Sequence, residues 1–352
     1  MPLTVYERAE FLKKSGWSGV SGQRIGDDWS QRQYFRIEKN GRTAILMHSV
    51  PDYDPKSVAG HRLEDFIKIG KYLKSLGLSV PEIYATELNH GLILMEDLGC
   101  QSLNDLMKQG VAQAQDYYLL AAQILEHLSD NARQPPIAIP DYFSSHIYIG
   151  KRRVLDWYIP ARLGGQNPPD YETGFRMAWQ TIERGLPPPL TGLQHGDYHP
   201  GNLLYLAERT GIAKLGILDF QGAFLTPIPY DLVNLLEDAR KIVPIETKTE
   251  VKNHFLNHLK PSERERIEAW YVVLSAQFHC RVIGQAISLA HRKNMTRLMG
   301  FIPILEQYLA QELHHPLLRP LAEWFRDVGI DFTNAAHIDL NSLGPLIDPH
   351  AF

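Results

Sequence analysis

The chain has 352 residues, more than one ordinary hydrophobic core holds, so two lobes or domains are expected. Hydrophobic residues make up 44% and charged residues 22%, a globular usage that excludes disorder over most of the length. A net charge of −4 gives no electrostatic basis for nucleic acid or an anionic membrane as a partner.

Cys100 and Cys280 are the only cysteines, too few for a disulfide framework, so a reducing compartment, the cytoplasm, is expected. The opening MPLTVYERAEFLKKSG lacks a basic start followed by an apolar stretch, and no secretory leader is expected. No apolar run reaches the roughly 18 residues that a membrane span needs. The basic run Lys151-Arg152-Arg153 reads as a solvated face. No obligate protein partner is evident, and the expected partner is a small molecule.

In chain order, Val5 to Gly16 has the spacing of a short amphipathic helix, followed by a Gly- and Asp-rich loop from Gly22 to Trp29. Gln33–Glu38 and Arg42–Met47 read as strands joined by Asn40-Gly41, a hairpin turn in which both residues tolerate positive φ. Residues 60–76 carry Leu63, Phe66, Ile67, Ile69, Tyr72, Leu73 and Leu76 at helical spacing, and Gly77 can end that helix. Pro81–Thr86 and Gly91–Glu96 read as another strand pair. After Gly99 the pattern becomes helical, over Leu103–Gln109, Ala114–Ala132 and much of 262–313. Pro135–Pro140 and Pro187–Pro189 are breaks, because periodic segments resume at once. The tail from about 327 has too little periodicity to place.

The chemistry concentrates between Leu193 and Arg240. His195-Gly196-Asp197 followed by Pro200-Gly201 forces a sharp turn that exposes polar side chains, with Asn202 five positions after Asp197. Leu203–Leu206 is a short apolar strand, and a second strand through Ile217-Leu218 presents Asp219 at its end. Carboxylate and amide oxygens brought together this way suit Mg²⁺ held with phosphates. A separate carboxylate can accept the proton of an attacking hydroxyl. The rival reading is a metal hydrolase built on His195, Asp197, His199, Asp219 and His279. The Pro200-Gly201 turn directly after His199 opposes the continuous strand that such alternating ligands need.

The pattern H-G-D-x-x-x-x-N, then L-D-F, then P-Y-D-L-V-N-L-L resembles the catalytic and metal-binding loops of aminoglycoside phosphotransferases and their relatives, among them choline, sugar and amino-acid kinases. The resemblance implies an α+β, bilobal protein-kinase-like fold, with a nucleotide-covering antiparallel-sheet lobe over 1–97 and a mainly helical catalytic and substrate lobe over 98–352. It implies ATP and Mg²⁺ as cofactors, Asp197 as the base and His195 as a brace of the loop. Asn202 and Asp219 would be the metal ligands, and Asp231 a buried structural anchor. Gly26 and Ser30 would form a phosphate-covering loop that lacks G-x-G-x-x-G, and backbone groups near Met95, Glu96 and Asp97 would contact adenine.

One part of that pattern is missing. The third strand reads Thr43-Ala-Ile-Leu-Met47-His48, where relatives carry a lysine, so Arg32 or Arg36 is the expected substitute at the phosphates. Glu64, on the helix where an ion-pair glutamate normally sits, is left without that partner. Further likeness in S-x-R-x-Y-F-R (30–36), M-E-D-L-G (95–99) and L-D-W-Y-I (155–159) is similar to the anomeric N-acetylmuramate/N-acetylglucosamine kinases of cell-wall recycling. It departs from them at 146–153 and at Gln277-Phe278, where a basic residue is expected after the Gln. Trp157 and Tyr158 would stack on a sugar ring, although LDWYI equally fits a buried helix. Asn234, Glu237, Asp238 and Arg240 offer partners for hydroxyls and carboxylates. The alternatives are a kinase for choline, an amino acid or another small alcohol, and a nucleotide-binding pseudokinase.

Overall fold

The structure, a computed structural model, describes residues 5–26, 32–57, 62–109, 114–333 and 337–344. Five strands, β1 (Gly22–Ile25), β2 (Gln33–Lys39), β3 (Arg42–His48), β4 (Ile83–Glu87) and β5 (Leu92–Glu96), form one antiparallel sheet in the order β1-β2-β3-β5-β4. The β2–β3 turn has Asn40 at φ 52° and Gly41 at φ 73°, the left-handed pair expected from the dipeptide. Lys39 therefore pairs with Arg42, and the register runs on to Gln33 opposite His48. Helix α1 (Val5–Lys14) supplies Phe11 and Leu12 to a small core with Ile37, Leu46, Leu92 and Leu94. Helix α2 (Leu63–Ser75) carries the predicted apolar stripe and stops at Leu76, with Gly77 left-handed at φ 80°.

Helices α3 (Leu103–Gln109) and α4 (Ala114–Asn131) follow, then the short α5 (His146–Ile149), a π-helical turn over Val154–Tyr158, α6 (Ile159–Leu163) and α7 (Pro169–Gly185). Two small antiparallel pairs come next: β6 (Thr191–Gln194) with β9 (Phe224–Pro227), and between them in the chain β7 (Leu203–Tyr205) with β8 (Leu215–Ile217). The chain finishes through α8 (Tyr230–Leu236), α9 (Ile245–His258), α10 (Pro261–Lys293), α11 (Ile302–Glu312) and α12 (Arg319–Asp327). No helix among the described residues is long and apolar enough to cross a membrane.

The chain divides into two compact units. The first comprises 1–124, 135–138 and 195–223; the second comprises 125–134, 139–194 and 224–352. The first unit therefore holds the five-stranded sheet together with the loop that begins at His195. Ser79 joins the two, bridging Gly216 of β8 and donating its hydroxyl to the Ala213 carbonyl at 2.7 Å. The second unit has a helical core of Trp157, Tyr158, Phe175, Trp179, Ile283, Leu305 and Trp324. The tail that lacked periodicity joins this core through Val328, Ile330 and Leu343. Sparse apolar residues without a period can fill a core, but they leave no pattern to read.

Candidate active site

The first unit builds the site from one hairpin. Gly196, at φ 92°, turns the chain out of His195, and Pro200–Asn202 forms a single 3₁₀ turn capped by His199, whose Nδ1 accepts the Gly201 N–H at 3.1 Å. A Cβ at position 201 would lie 2.8 Å from His199 Cε1, so a larger residue there would push the capping ring aside. Leu203 then pairs with Ile217, and the Leu218 N–H donates to the Asn202 carbonyl at 2.9 Å. That register sets Asn202 beside the strand end that delivers Asp219.

Histidine 195 ties the halves together. Its Nδ1 accepts the Asp197 N–H at 3.2 Å, and its Nε2 faces the Leu218 carbonyl at 2.7 Å. One partner is a donor and the other an acceptor, so the neutral ring carries its proton on Nε2. Asn202 Nδ2 donates to the Asp197 carbonyl at 2.9 Å and lies 3.5 Å from Asp197 Oδ2. Tyr198, buried between these residues in sequence, donates its hydroxyl to the Ala121 carbonyl of α4 at 2.9 Å. Asp197 and Asp219 both face solvent. Asp219 sits in the left-handed region at φ 59°, a conformation that Asp tolerates better than most residues, and its Oδ1 accepts from Gln221 at 2.7 Å. Phe220 anchors the turn by stacking on Phe66 of α2, ring centroids 4.9 Å apart. Gly70 leaves the room for it, since a Cβ there would meet Phe220 at 3.1 Å.

The sheet residues sort differently from expectation. Arg36, one of the two arginines expected at the phosphates, grips Asp97 in a bidentate pair at 2.7 and 2.8 Å and also donates to the Gly99 carbonyl. Burial alone would raise the Asp97 carboxyl, but the hydrogen bonds from Arg36 and Gly99 outweigh it and hold it below the usual carboxylate range. Glu96 is likewise committed. Its N–H donates to the Glu82 carbonyl, and its side chain accepts from Arg209 at 2.7 Å. Met95 is buried in the centre of the sheet, opposite Ile45.

Arg32 is 3% exposed, with its guanidinium 5.9 Å from the Phe66 ring centre. Burial raises the Tyr34 hydroxyl; the charge of Arg32 opposes that rise and the charge of Asp219 adds to it, so all three groups share one neighbourhood. Tyr34 pairs with Met47, the strand position that carries no lysine. Glu64 is exposed, and its N–H is capped by Asp52. Gly26 is left-handed at φ 81° at the end of β1; Ser30 lies outside the described residues.

In the second unit the two aromatics expected to stack on a sugar ring are buried. Trp157 and Tyr158 are 1% and 0% exposed, core residues of the π-helical turn, and the Tyr158 hydroxyl donates to Glu306. Asn234, expected to meet the substrate, is buried and donates to the Tyr230 carbonyl. Glu237 accepts from Tyr271 at 2.7 Å and from Lys248. Arg240 pairs with Asp238 and keeps about half its side chain exposed. Asp231 is fully buried in the first turn of α8, its N–H donating to Gln194.

His279 is no metal ligand either. It is fully buried, with Nδ1 on Glu312 at 2.8 Å and Nε2 on the Glu237 carbonyl at 2.9 Å. Both partners are acceptors, which calls for a proton on each nitrogen. Burial opposes that charge, but the Glu312 carboxylate and these hydrogen bonds outweigh it and raise the imidazole above its usual value. Burial raises the Glu312 carboxyl as well, against the attraction of His279. Both raised groups contribute stability at low pH and lose it as pH climbs through their folded values; for His279 the loss begins above about 6.5. The urea midpoint is therefore expected to fall between pH 6 and pH 9, and Glu312→Gln to flatten that slope. A midpoint rising over this range would contradict the assignment. Among the described residues, no three His, Cys, Asp or Glu side chains are grouped to hold a metal by themselves.

The five-stranded antiparallel sheet with its many helices is an α+β fold of the protein-kinase-like class, and the chain is a phosphotransferase acting on a hydroxyl of a small molecule. The chain belongs to the phosphotransferase enzyme family, whose model matches residues 21–270. It is 28% identical to an N-acetylmuramate/N-acetylglucosamine kinase of Caulobacter vibrioides, over 90% of this chain and 94% of that protein. It is 26% identical to the protein of that name in Pseudomonas aeruginosa, over 89% and 91% of the two chains. Among solved structures, the GDP complex of aminoglycoside 2′-phosphotransferase-IIIa superposes with a TM-score of 0.58 at 18% identity, covering 87% of this chain and 98% of that one. An ethanolamine kinase of Plasmodium vivax gives 0.53 at 13% identity, over 88% and 85%.

Proposed function

We propose that this protein is an ATP-dependent amino-sugar kinase that phosphorylates a hydroxyl of N-acetylmuramate or N-acetylglucosamine in the cytoplasm. The observation that carries the reading is the His195 bridge, which orders the Asp197 loop and the Asp219 strand end as one piece. Asp197 takes the proton of the attacking hydroxyl, and Asn202 holds the Asp197 loop through its carbonyl. The donor set fits a hard cation: the Asp219 carboxylate is open, and the Asn202 amide nitrogen is occupied by Asp197, which leaves its Oδ1 as an oxygen ligand. Asn202 and Asp219 would hold Mg²⁺, which supplies charge neutralisation at the phosphates. Residues 1–97 serve as the nucleotide-covering lobe and 98–352 as the catalytic and substrate lobe.

Arg32 stands in for the strand lysine, because it lies with Tyr34 and Asp219 while Arg36 is held by Asp97. Arg32→Gln is expected to raise the KM for ATP by about tenfold, the scale of one charged hydrogen bond, with a smaller change in kcat. An unchanged KM for ATP would assign the phosphates to another group. The reading as a whole is tested by ATP consumption with N-acetylmuramate, N-acetylglucosamine, choline and homoserine. Turnover of the amino sugars is expected; turnover confined to choline or homoserine would replace the substrate, and binding of ATP without turnover of any acceptor would favour a pseudokinase.

A further inference from the structure

The turn that delivers Asp219 also holds a buried amide against it. Phe220–Gly222 is a single 3₁₀ turn, closed by the Ala223 N–H on the Phe220 carbonyl at 3.0 Å. It lies wholly within the first unit. Asp219 faces solvent, whereas Gln221, two residues on, is only 4% exposed. Its Nε2 donates to Asp219 Oδ1 at 2.7 Å. An ionised carboxylate offers acceptors only, so the amide must present its nitrogen and turn Oε1 away. Among the described residues, that buried oxygen has no hydrogen-bond partner.

A buried carbonyl oxygen without a partner weakens the fold, and an apolar side chain of the same length would avoid the loss. Glutamine stands there all the same, so its amide serves something other than packing. What it touches is the carboxylate that would hold the cation. The turn itself does not fix that carboxylate. Asp219 stands at the N-cap position, where an aspartate ordinarily accepts a backbone N–H of the turn, but here no such bond forms. The Gln221 side chain takes that place. Asn202, the other expected ligand, is held in a similar way, its amide nitrogen on the Asp197 carbonyl at 2.9 Å.

Held at Oδ1, the Asp219 carboxylate has Oδ2 to offer a cation. Mg²⁺ demands a compact octahedral shell, keeps much of its water and uses few carboxylate oxygens. Ca²⁺ takes a larger, looser shell and readily uses both oxygens of one carboxylate. We propose that Gln221 is a positioning residue that holds Asp219 as a one-oxygen ligand and so makes this protein prefer Mg²⁺ to Ca²⁺. A hydrogen bond that orients a ligating group is typically worth about 10–100-fold in metal affinity. The proposal rests on the reading of Asp219 as a cation ligand and is independent of the acceptor.

Calorimetric titration of the whole protein with a non-hydrolysable ATP analogue, once in Mg²⁺ and once in Ca²⁺, tests it without any acceptor. The wild type is expected to bind the nucleotide at least about tenfold more tightly in Mg²⁺. Gln221→Met, apolar and of similar length, is expected to weaken binding in Mg²⁺ by about 10–100-fold and to change binding in Ca²⁺ far less. Its melting temperature should be no lower than that of the wild type, because the unpaired oxygen is gone. Gln221→Asn, which keeps the amide on a shorter stem, is expected to lose the metal preference too. Equal affinity in the two metals for the wild type overturns the proposal, and that comparison needs no variant. A folded variant that keeps the wild-type ratio of the two affinities also overturns it, since a merely structural role would weaken both alike; Asp219 would then remain a ligand. Nucleotide binding by the wild type that is indifferent to any divalent cation removes the reading of Asp219 itself, and this proposal with it.

Discussion

Asp197→Asn is expected to leave the affinity for Mg·ATP almost unchanged and to cut kcat by about 10²–10⁴, the contribution of a placed general base. The structure gives the reason for the split. The Asp197 N–H is fixed by His195 and its carbonyl by Asn202, so an amide at this position keeps the backbone of the loop, while the charge that faces His199 Nε2 at 3.5 Å and would accept the proton is lost. Asp197 is exposed, so the substitution buries no new polar group and should leave the melting temperature close to that of the wild type. Isothermal titration with nucleotide and steady-state kinetics on a confirmed sugar measure the two quantities. A variant that retains wild-type kcat would take Asp197 out of the mechanism.

Asp219→Ala is expected to lower turnover by about 10²–10³ or more, the loss seen when a preorganised charge stabiliser is removed, and to weaken Mg-dependent nucleotide binding. Here chemistry and backbone are mixed, because alanine at φ 59° adds roughly 1–2 kcal/mol of left-handed strain. Asp219→Asn separates them. Asparagine accepts the same backbone and keeps an oxygen, so its stability should match the wild type while its metal dependence shifts to higher Mg²⁺. Full activity of the asparagine variant at low Mg²⁺ would show that the carboxylate charge is not used.

Local chemistry made part of this legible. Asn40-Gly41 dictates its own turn, and the six residues from Asp197 to Asn202 hold their polar groups together over a distance that sequence spacing controls. The roles of the two arginines were not legible. Arg32 and Arg36 lie four apart, at spacing that puts both on one side of an extended segment. Arg36 differs because Asp97, 61 residues away, meets it across the sheet. Trp157 and Tyr158 show a similar limit. An aromatic pair announces a large apolar surface, and only packing tells whether a ligand or the rest of the core covers it; here Tyr158 is sealed by Glu306 on α11. Arg153 reads as surface charge beside Lys151 and Arg152, and only the fold brings it half-buried onto Gln285 of a distant helix.

The left-handed backbone at Asp219 also bears on how this gene can drift. Single-base changes of an aspartate codon reach Asn, Gly, Ala, Val, Tyr, His and Glu. Only Gly and Asn, and less readily His, settle at φ 59° without strain, and a β-branched Val is the worst placed. Abundance and activity should therefore part company in a saturation library at this codon. Asn and Gly alleles would persist as well-folded, catalytically impaired protein, whereas Val alleles would be depleted by misfolding before their chemistry mattered.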